Sequence, residues 1–239
     1  MRFEMEHNNK SKILVVDDEE EIVNLIELLL KNDYDLTTAF SGEEALELIN
    51  DFFDLVILDI MMKGIDGYEV CRTIREKYNI PILFLSGKTS EQDKTYGFLV
   101  GCDDYGAKPF SSIEFLSRVN AIIRRYKVYK GKTDISGKDR IIVADIVIDE
   151  FSNKIYRDEE EILLTNIEFN IFYLMAKNPR KIFSIQNIYE SVWKEPYEYT
   201  VNNIVMVHMK NLRKKLAKPG SDIKYIKNVW GRGYCIENG

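Results

Sequence analysis

The chain has 239 residues, a formal net charge of −6, 45% hydrophobic residues and three cysteines. This length suits one large or two ordinary domains, and the lack of any apolar run approaching ~18 residues excludes a transmembrane helix. The polar residues 1–10 are unlike a secretory signal. Three cysteines without CxxC spacing indicate reduced thiols in a cytoplasmic protein.

The charge is distributed unevenly along the chain. Residues 1–126 carry a net charge of −10, residues 127–140 carry +3 and residues 141–239 carry +1. Between Glu198 and Asp222 there is no acid, although five lysines and arginines lie there. Such a basic stretch is often only a solvated helix face. An acidic first half joined to a second half with a local basic stretch nevertheless suggests two parts with different tasks.

Strand-like and helix-like segments alternate through residues 12–126, after an N-terminal extension of residues 1–11. This alternation predicts strands near 12–16, 35–39, 54–58, 81–85 and 104–107, and helices near 19–31, 42–50, 67–77, 90–99 and 111–125. Strands that are apolar along their whole length belong in a parallel sheet covered on both faces. We therefore expect an α/β domain with a doubly wound, five-stranded parallel sheet.

Residues 127–140 are rich in Lys, Gly, Ser and Asp and are the predicted linker. Residues 141–164 then hold short strand-like pieces, and Thr165 with Glu168 three positions later predicts the start of a helix. Two more helices and a terminal hairpin are expected at residues 184–193, 200–217 and 223–236. Residues 141–239 therefore predict a small α+β winged helix-turn-helix domain.

Polar side chains stand where the predicted parallel strands end. Asp17 and Asp18 follow the first strand, Asp59 the third, Ser86 closes the fourth and Lys108 follows the fifth. Ligands of open α/β sheets bind beyond the carboxyl ends of the strands, so these side chains are expected to converge. A single acid at a strand end is usually an ordinary loop carboxylate. The ordered set instead predicts a site for a divalent metal and a phosphoryl group.

The chemistry of this set is phosphoryl transfer to a carboxylate. Carboxylates ~4 Å apart repel by about 4 kcal/mol per pair at an effective dielectric near ~20, and Mg²⁺, which prefers oxygen ligands, relieves that repulsion. Asp59 is the predicted nucleophile, since carboxylates can form acyl phosphates. Lys108 supplies positive charge to the transferred group, and Ser86 can donate a hydrogen bond to it.

Four motifs identify the first half more closely. They are ILVVDDE (13–19), DLVILDIMMKGIDG (54–67), PILFLSGK (81–88) and GCDDYGAKPF (101–110). With them, residues 12–126 resemble the flavodoxin-like receiver domain of two-component response regulators. The resemblance implies Asp59 as phosphoacceptor and a cis Lys108–Pro109 bond. Mg²⁺ would be held by Asp17, Asp18, Asp59 and the Met61 carbonyl, and the phosphoryl-binding and switch residues would be Ser86, Tyr105 and Lys108.

The second half has motifs of its own: LTNIEF (164–169), VHMKNLRKKL (207–216) and VWGRGY (229–234). It resembles the OmpR/PhoB-type DNA-binding effector domain. The predicted third helix places Val201, Val205, Leu212 and Leu216 on a core-facing side. The DNA-contacting residues are expected to be Asn203, Met206, Val207, Lys210, Asn211, Arg213 and Lys214 on that helix and Arg232 in the hairpin wing. Met206 and Val207 would meet thymine methyl groups, or would be tolerated surface apolars.

The resemblance also implies a dimer face on the fourth helix, fifth strand and fifth helix of the receiver. Across a two-fold axis, Lys94 would pair with Glu114 and Asp104 with Arg118, while Asp103 lacks its usual partner. Exposed ion pairs contribute only ~0–1 kcal/mol each. Apolar packing is therefore expected to carry much of any dimer.

Taken with these resemblances, the sequence predicts a cytoplasmic transcription regulator rather than an enzyme. A partner histidine kinase would phosphorylate Asp59. A homodimer would then bind tandem half-sites on double-stranded promoter DNA and act with RNA polymerase. No membrane partner is expected. One alternative is an aspartyl-phosphate hydrolase with a basic appendage. Another is a regulator that works unphosphorylated. Two features favour it: Lys63 stands where the family usually has proline, and the predicted dimer face has fewer ion pairs than is usual in the family.

Overall fold

The chain folds into a larger unit of alternating strands and helices followed by a smaller α+β unit. The computed structural model describes residues 10–130, 140–150, 152–198, 202–220 and 223–236, the side chains of 127–130 excepted. Most of the predicted N-terminal extension (1–11) and of the predicted linker (127–140) lies outside the described residues.

The larger unit is built on one parallel sheet. Its elements are β1 (Lys12–Val16), α1 (Glu20–Leu30), β2 (Asp35–Ala39), α2 (Gly42–Leu48), β3 (Leu55–Leu58), α3 (Gly67–Arg75), β4 (Ile82–Ser86), α4 (Glu91–Val100), β5 (Asp104–Ala107) and α5 (Ser112–Lys130). The strand order is β2-β1-β3-β4-β5, and every pairing is parallel. The predicted doubly wound sheet is confirmed.

Alternate residues of the central strands supply two hydrophobic layers. Leu14, Val56 and Phe84 point to the side covered by α2, α3 and α4. Ile13 and Leu55 point to the opposite side, which α1 and α5 cover. All five side chains are fully buried, and each such burial stabilises the fold by roughly 1.5–3 kcal/mol. This two-sided burial explains why the strands are apolar throughout.

The smaller unit surrounds a separate core. Its elements are β6 (Arg140–Val143), β7 (Ile146–Asp149), β8 (Lys154–Arg157), β9 (Glu160–Ile162), α6 (Asn166–Ala176), α7 (Ile185–Trp193), α8 (Asn202–Leu216), β10 (Lys227–Val229) and β11 (Gly233–Cys235). The first four strands form an antiparallel sheet, and β10 and β11 form a hairpin. This arrangement agrees with the predicted winged helix. The predicted start of α8 at residues 200 and 201 lies outside the described residues.

Side chains cap the starts of several helices, among them the helix start predicted at Thr165. The Ser41 hydroxyl accepts a hydrogen bond from the Glu44 N–H at 3.1 Å. Thr165 and Glu168 form a full capping box, with each side chain accepting from the other residue's backbone N–H. Such caps satisfy backbone donors that have no partner inside the helix. All three cysteines are buried and free, as predicted.

Candidate functional site: an acidic pocket and a cationic helix

The backbone ladder of the parallel sheet continues one residue past the strand ends and aligns the polar residues there. The Asp17 N–H donates to the Ala39 carbonyl (3.1 Å), and the Asp59 N–H donates to the Val16 carbonyl (2.9 Å). The Lys108 N–H donates to the Ser86 carbonyl at 2.8 Å. The predicted cis Lys108–Pro109 bond is present. Side chains distant in sequence are thus held at one edge of the sheet.

Three carboxylates and one ammonium group converge in this pocket. Oxygens of Asp17, Asp18 and Asp59 all lie within 4.8 Å of one another. Asp17 and Asp59 are buried, and Lys108 Nζ lies 2.6 Å from Asp17 Oδ2 and 3.2 Å from Asp59 Oδ1. Burial raises the pKa of Asp17, although the contact with Lys108 opposes that shift. Burial alone would lower the pKa of Lys108, but its ion pairs outweigh that effect and raise it.

The two oxygens of Asp59 have different environments. Oδ2 accepts a hydrogen bond from the Met61 N–H at 2.7 Å. Oδ1 is buried and accepts no hydrogen bond, and Lys108 Nζ lies near it without hydrogen-bonding geometry. A buried carboxylate oxygen without a hydrogen bond is costly. The donor set of three carboxylates and this open oxygen fits a hard divalent cation.

Glu19 is a member of the pocket that the sequence reasoning did not single out. Its Oε1 lies 3.4 Å from Lys108 Nζ, although the Glu19 side chain is mostly exposed. Its N–H donates to Asp17 Oδ1 at 3.1 Å, which fixes that carboxylate. Glu19 belongs to the run of five acids at 17–21 directly after β1, which was the available signal for this role.

A close backbone approach positions Asp59. A Cβ added at Gly67 would lie 2.1 Å from the Asp59 carbonyl oxygen, so only glycine lets α3 start this near the pocket. The Asp66 side chain caps the same helix by accepting from the Glu69 N–H at 2.9 Å. Together these contacts fix the loop between β3 and α3.

The predicted switch residues lie beside the pocket. Ser86 is fully buried, and its hydroxyl accepts from the Lys88 N–H at 3.3 Å. Tyr105 is turned inward, and its O–H donates to the Lys88 carbonyl at 2.6 Å. Burial raises the pKa of Tyr105, so its proton remains on the phenol. The Lys88 ammonium lies over the Tyr68 ring, 5.3 Å from its centroid. The loop that carries Lys88, between β4 and α4, therefore connects Ser86 with Tyr105.

The residues predicted to contact DNA on α8 divide into two groups. Asn203, Met206, Lys210 and Lys214 are exposed. Arg213 is partly buried, where it donates to the Ile226 carbonyl at 3.2 Å and lies over the Tyr234 ring. Arg232 is exposed in the β10–β11 turn, as expected for a wing. These six residues present a cationic surface.

The other two predicted DNA-contacting residues are covered by the larger unit. Val207 is buried in the hydrophobic cluster that includes Phe98 of α4, so the expected exposure of Val207 is wrong for this conformation. Asn211 Nδ2 lies 3.3 Å from both the Phe98 and the Leu99 carbonyl oxygens, to which it donates. A cleft of about 580 Å³ lies beside this contact, lined by residues of α4 and α8. The receiver-like unit therefore covers part of the predicted DNA surface.

His208, the residue after Val207 on α8, is fully buried. Its ring faces Phe98 of α4 on one side and Trp193 of α7 on the other, with centroids 5.7 Å away in both cases. Neither ring nitrogen has a hydrogen-bond partner. Burial, followed by the charges of Lys215 and Arg75, lowers the pKa of His208 to about 3. The imidazole is therefore neutral here.

Three of the four predicted dimer-face residues contact one another within a single chain. Arg118 lies 3.2 Å from Asp104 Oδ1 and 3.0 Å from Glu114 Oε1. Lys94 lies in the first turn of α4, where its N–H donates to the Ser90 carbonyl.

Asp103, which is expected to lack its usual partner across the dimer, has partners inside its own chain. This residue is buried, and its Oδ2 lies 2.7 Å from Arg75 Nη2. The same oxygen accepts a hydrogen bond from the Ile82 N–H at 2.8 Å. Asp103 is therefore an interior residue of the larger unit and not part of a surface network.

The sequence matches two family models, "Response regulator receiver domain" over residues 13–120 and "Transcriptional regulatory protein, C terminal" over residues 159–236. It is 46% identical over 224 residues to the uncharacterized transcriptional regulatory protein YrkP of Bacillus subtilis (strain 168), covering 93% of this chain and 96% of that one. Identity to the regulatory protein VanR of Enterococcus faecium is 40% over 228 residues, covering 95% and 98%. Identity to the transcriptional regulatory protein ResD of Bacillus subtilis (strain 168) is 38% over 240 residues, covering 98% and 99%.

A solved structure is similar over nearly the whole chain. A mutant of RitR superposes with a TM-score of 0.76 at 26% identity, covering 96% of this chain and 100% of that one. Within the described part of the chain, every helix is too short or too polar to span a membrane.

Proposed function

This chain belongs to the OmpR/PhoB family of two-component response regulators, which regulate transcription through a receiver domain joined to a winged-helix DNA-binding domain, and we propose that phosphorylation of Asp59 controls its binding to promoter DNA. The proposed receiver is residues 12–126, the linker 127–140 and the effector 141–239. The observation that carries the proposal is the buried Asp59 Oδ1, which lacks a hydrogen bond and lies 3.2 Å from Lys108 Nζ.

The pocket suits transfer of a phosphoryl group from a histidine of a sensor kinase. An Asp59 oxygen bonds to phosphorus while the bond from phosphorus to the histidine nitrogen breaks, and that nitrogen keeps the electron pair. Mg²⁺, held by Asp17, Asp18, Asp59 and the Met61 carbonyl, would supply positive charge to the transferred group. Lys108 neutralises a further phosphoryl oxygen, and the Ser86 hydroxyl donates to another. The same groups take part in the later hydrolysis of the acyl phosphate.

In this structure α4 of the receiver covers part of α8, a closed arrangement that phosphorylation could open. Val207 and Asn211 of α8 are engaged by α4, so α8 must leave the receiver before it can enter a major groove. Ser86 and Tyr105 connect the pocket to the β4–α4 loop through Lys88. We therefore assign Lys88 and Tyr105 to the path by which the pocket shifts α4.

The released α4 face would then pair with a second copy. Lys94, Asp104, Glu114 and Arg118 lie on the elements that form this face. Because Arg118 already contacts Asp104 and Glu114 in the same chain, pairing across a two-fold requires these partners to exchange. Glu114 is exposed, whereas Asp104 and Arg118 are partly buried, so the exchange has to replace one partly buried pair. The homodimer would act on tandem promoter half-sites in the cytoplasm, together with RNA polymerase.

The assignment is tested with acetyl phosphate and Mg²⁺, which should add one phosphoryl group as read by intact-protein mass. Asp59→Asn should abolish the addition, whereas Asp51→Asn, an exposed acid of the same domain, should retain it. The phosphorylated chain should also bind a duplex selected from a random-sequence pool more tightly than the untreated chain. Stoichiometric labelling of Asp59→Asn would contradict the assignment. Equal DNA affinity with and without the phosphoryl group would favour the regulator that works unphosphorylated.

A further inference from the structure

One large aromatic side chain of the effector domain has no cover. Trp230 is 94% exposed, whereas Trp193, the other tryptophan of the chain, is 4% exposed and stacked on Tyr189. A tryptophan can bury ~150–250 Å² when it finds a partner. Within the described residues, no other large hydrophobic side chain exposes so great a fraction.

The hairpin that carries Trp230 has an anchored base and a projecting tip. Phe183 and Tyr234 exchange two backbone hydrogen bonds of 2.8 and 2.9 Å, an isolated bridge that fastens the hairpin to the segment before α7. A Cβ at Gly233 would lie 2.0 Å from the Phe183 carbonyl oxygen, so the base is tightly packed. At the tip, Gly231 has a φ of +67° and nothing within 4 Å of an added Cβ. Trp230 is therefore held outward by a fixed scaffold.

The charge around Trp230 points to an anionic partner. Residues 223–236 contain Lys224, Lys227 and Arg232 and no acid. All three side chains are exposed. An exposed ring flanked by cations matches a duplex that offers phosphates beside apolar sugar and base-edge surfaces, which apolar side chains of DNA-binding proteins contact. An apolar protein partner would not require this charge.

We propose that the Trp230 indole packs against the sugar and base edges of duplex DNA beside the groove occupied by α8, while Arg232 neutralises a neighbouring phosphate. This inference rests on the proposed DNA-binding function and adds a contact residue that sequence reasoning missed. Unlike Val207 and Asn211, Trp230 is not covered by the receiver. The wing can therefore meet DNA before α8 is released.

Acrylamide quenching of the full-length protein tests the contact directly. Because Trp193 is buried, the difference between wild type and Trp230→Phe isolates the signal of Trp230. The probe DNA is a duplex selected from a random-sequence pool by the acetyl-phosphate-treated chain, or a mixed-sequence duplex at low salt if none is selected. We expect DNA to reduce the quenching of Trp230 severalfold. Since acrylamide is neutral, the charge of the DNA does not repel it.

Affinity measurements separate an aromatic contact from a charge contact. Trp230→Ala should weaken binding about tenfold, by loss of the apolar area that the indole buries against DNA, and should leave the log–log salt slope unchanged. Trp230→Phe should restore most of the affinity. Arg232→Ala should lower the magnitude of the salt slope by about one unit. Ile142→Ala, which removes another exposed apolar side chain of the same domain, should bind as wild type does.

The results distinguish failure of this inference from failure of the proposed function. If the duplex is bound but Trp230 remains fully quenchable and Trp230→Ala binds normally, the inference is wrong and DNA-binding regulation stands. If Trp230 becomes protected on raising the protein concentration without DNA, its partner is a second copy and the inference is also wrong. If no sequence is selected and low-salt DNA leaves Trp230 quenchable, both fail.

Discussion

Arg75 and Asp103 form a buried ion pair that joins α3 to the start of β5. Besides the 2.7 Å pair, Arg75 donates to the Gly101 carbonyl at 2.8 Å and to the Ile80 carbonyl at 2.6 Å. Burial raises the pKa of Asp103, and Arg75 opposes that shift. Removing one partner of a buried pair leaves the other charge uncompensated, which costs about 3–5 kcal/mol.

Arg75→Met should therefore lower the free energy of unfolding by about 3–5 kcal/mol, measured by urea titration. The exposed pair Glu69–Arg72, one turn earlier on the same helix, provides the matched control. Arg72→Met should change the free energy of unfolding by less than ~1 kcal/mol. Equal losses in the two variants would show that burial of the Arg75 pair has no special effect.

The lowered pKa of the buried His208 leads to a prediction of how the free energy of unfolding depends on pH. Its pKa is lowered to about 3 in this fold by burial and by Lys215 and Arg75, against ~6.5 when exposed. The fold therefore accommodates only the neutral ring. Above pH ~6.5 the ring is neutral in the folded and the unfolded state, and its protonation does not reduce the free energy of unfolding. As pH falls below that value toward 3, protonation favours states in which the ring is exposed, at about 1.4 kcal/mol per pH unit.

Urea titrations at pH 7.5 and 5.5 should show this loss in wild type. His208→Leu removes the titrating group and should reduce the pH-dependent loss by about 1 kcal/mol. It also removes two buried nitrogens that lack partners, so its stability at pH 7.5 should not fall below that of wild type. The double difference cancels the contributions of Asp17 and Asp103. Identical pH dependence in both proteins would contradict the role of His208.

At the scale of elements, the strands and the pocket could be predicted because their signals are local. The central strands β1, β3 and β4 are apolar runs that end on or just before a polar residue, and parallel pairing then brings Asp17, Asp59 and Lys108 together. The covered face of α8 could not be predicted in this way. Periodicity separates the core side, with Val205 and Leu212, from the rest of the helix. It carries no information that α4 would pack over Val207.

The approach of α3 to the pocket yields a prediction about one glycine. Gly67→Ala would gain helix propensity of up to ~1 kcal/mol, but its Cβ would lie 2.1 Å from the Asp59 carbonyl oxygen. We expect the rate of phosphorylation by acetyl phosphate to fall, with a loss of about 1–3 kcal/mol in the free energy of unfolding. Gly87→Ala meets only the end of the Met61 side chain at 3.2 Å and should be phosphorylated at nearly the wild-type rate. Normal phosphorylation of Gly67→Ala would show that the pocket tolerates a displaced α3.

At the scale of the whole molecule, α4 has two incompatible uses. In this structure Phe98 and Leu99 of α4 cover α8, where they contact His208 and Asn211. In the proposed dimer the same helix would face a second copy. The contact between α4 and α8 and the contact between two copies use the same surface, so they exclude each other. Formation of the dimer therefore helps to keep α8 free to bind DNA.

Opening of this contact can be tested from the receiver side, where no DNA contact is disturbed. Leu99 is partly exposed and lines the cleft together with Lys210 and Arg213 of α8. Leu99→Lys places a third cation there, so repulsion should favour the open arrangement. If one unphosphorylated molecule in ~10 is open, full opening raises the apparent DNA affinity about tenfold. The measurement is DNA binding by Asp59→Asn chains with and without Leu99→Lys, at concentrations where both are monomeric.

The control is Leu28→Lys, which adds the same charge at an exposed position of α1 and so reports the general effect of one more cation on DNA affinity. Only the excess produced by Leu99→Lys counts as opening. That excess should be smaller at high salt than at low salt, because salt screens the repulsion between the introduced ammonium group and α8. If both substitutions raise the affinity equally, the contact between α4 and α8 does not restrain DNA binding, and phosphorylation must act through the dimer alone.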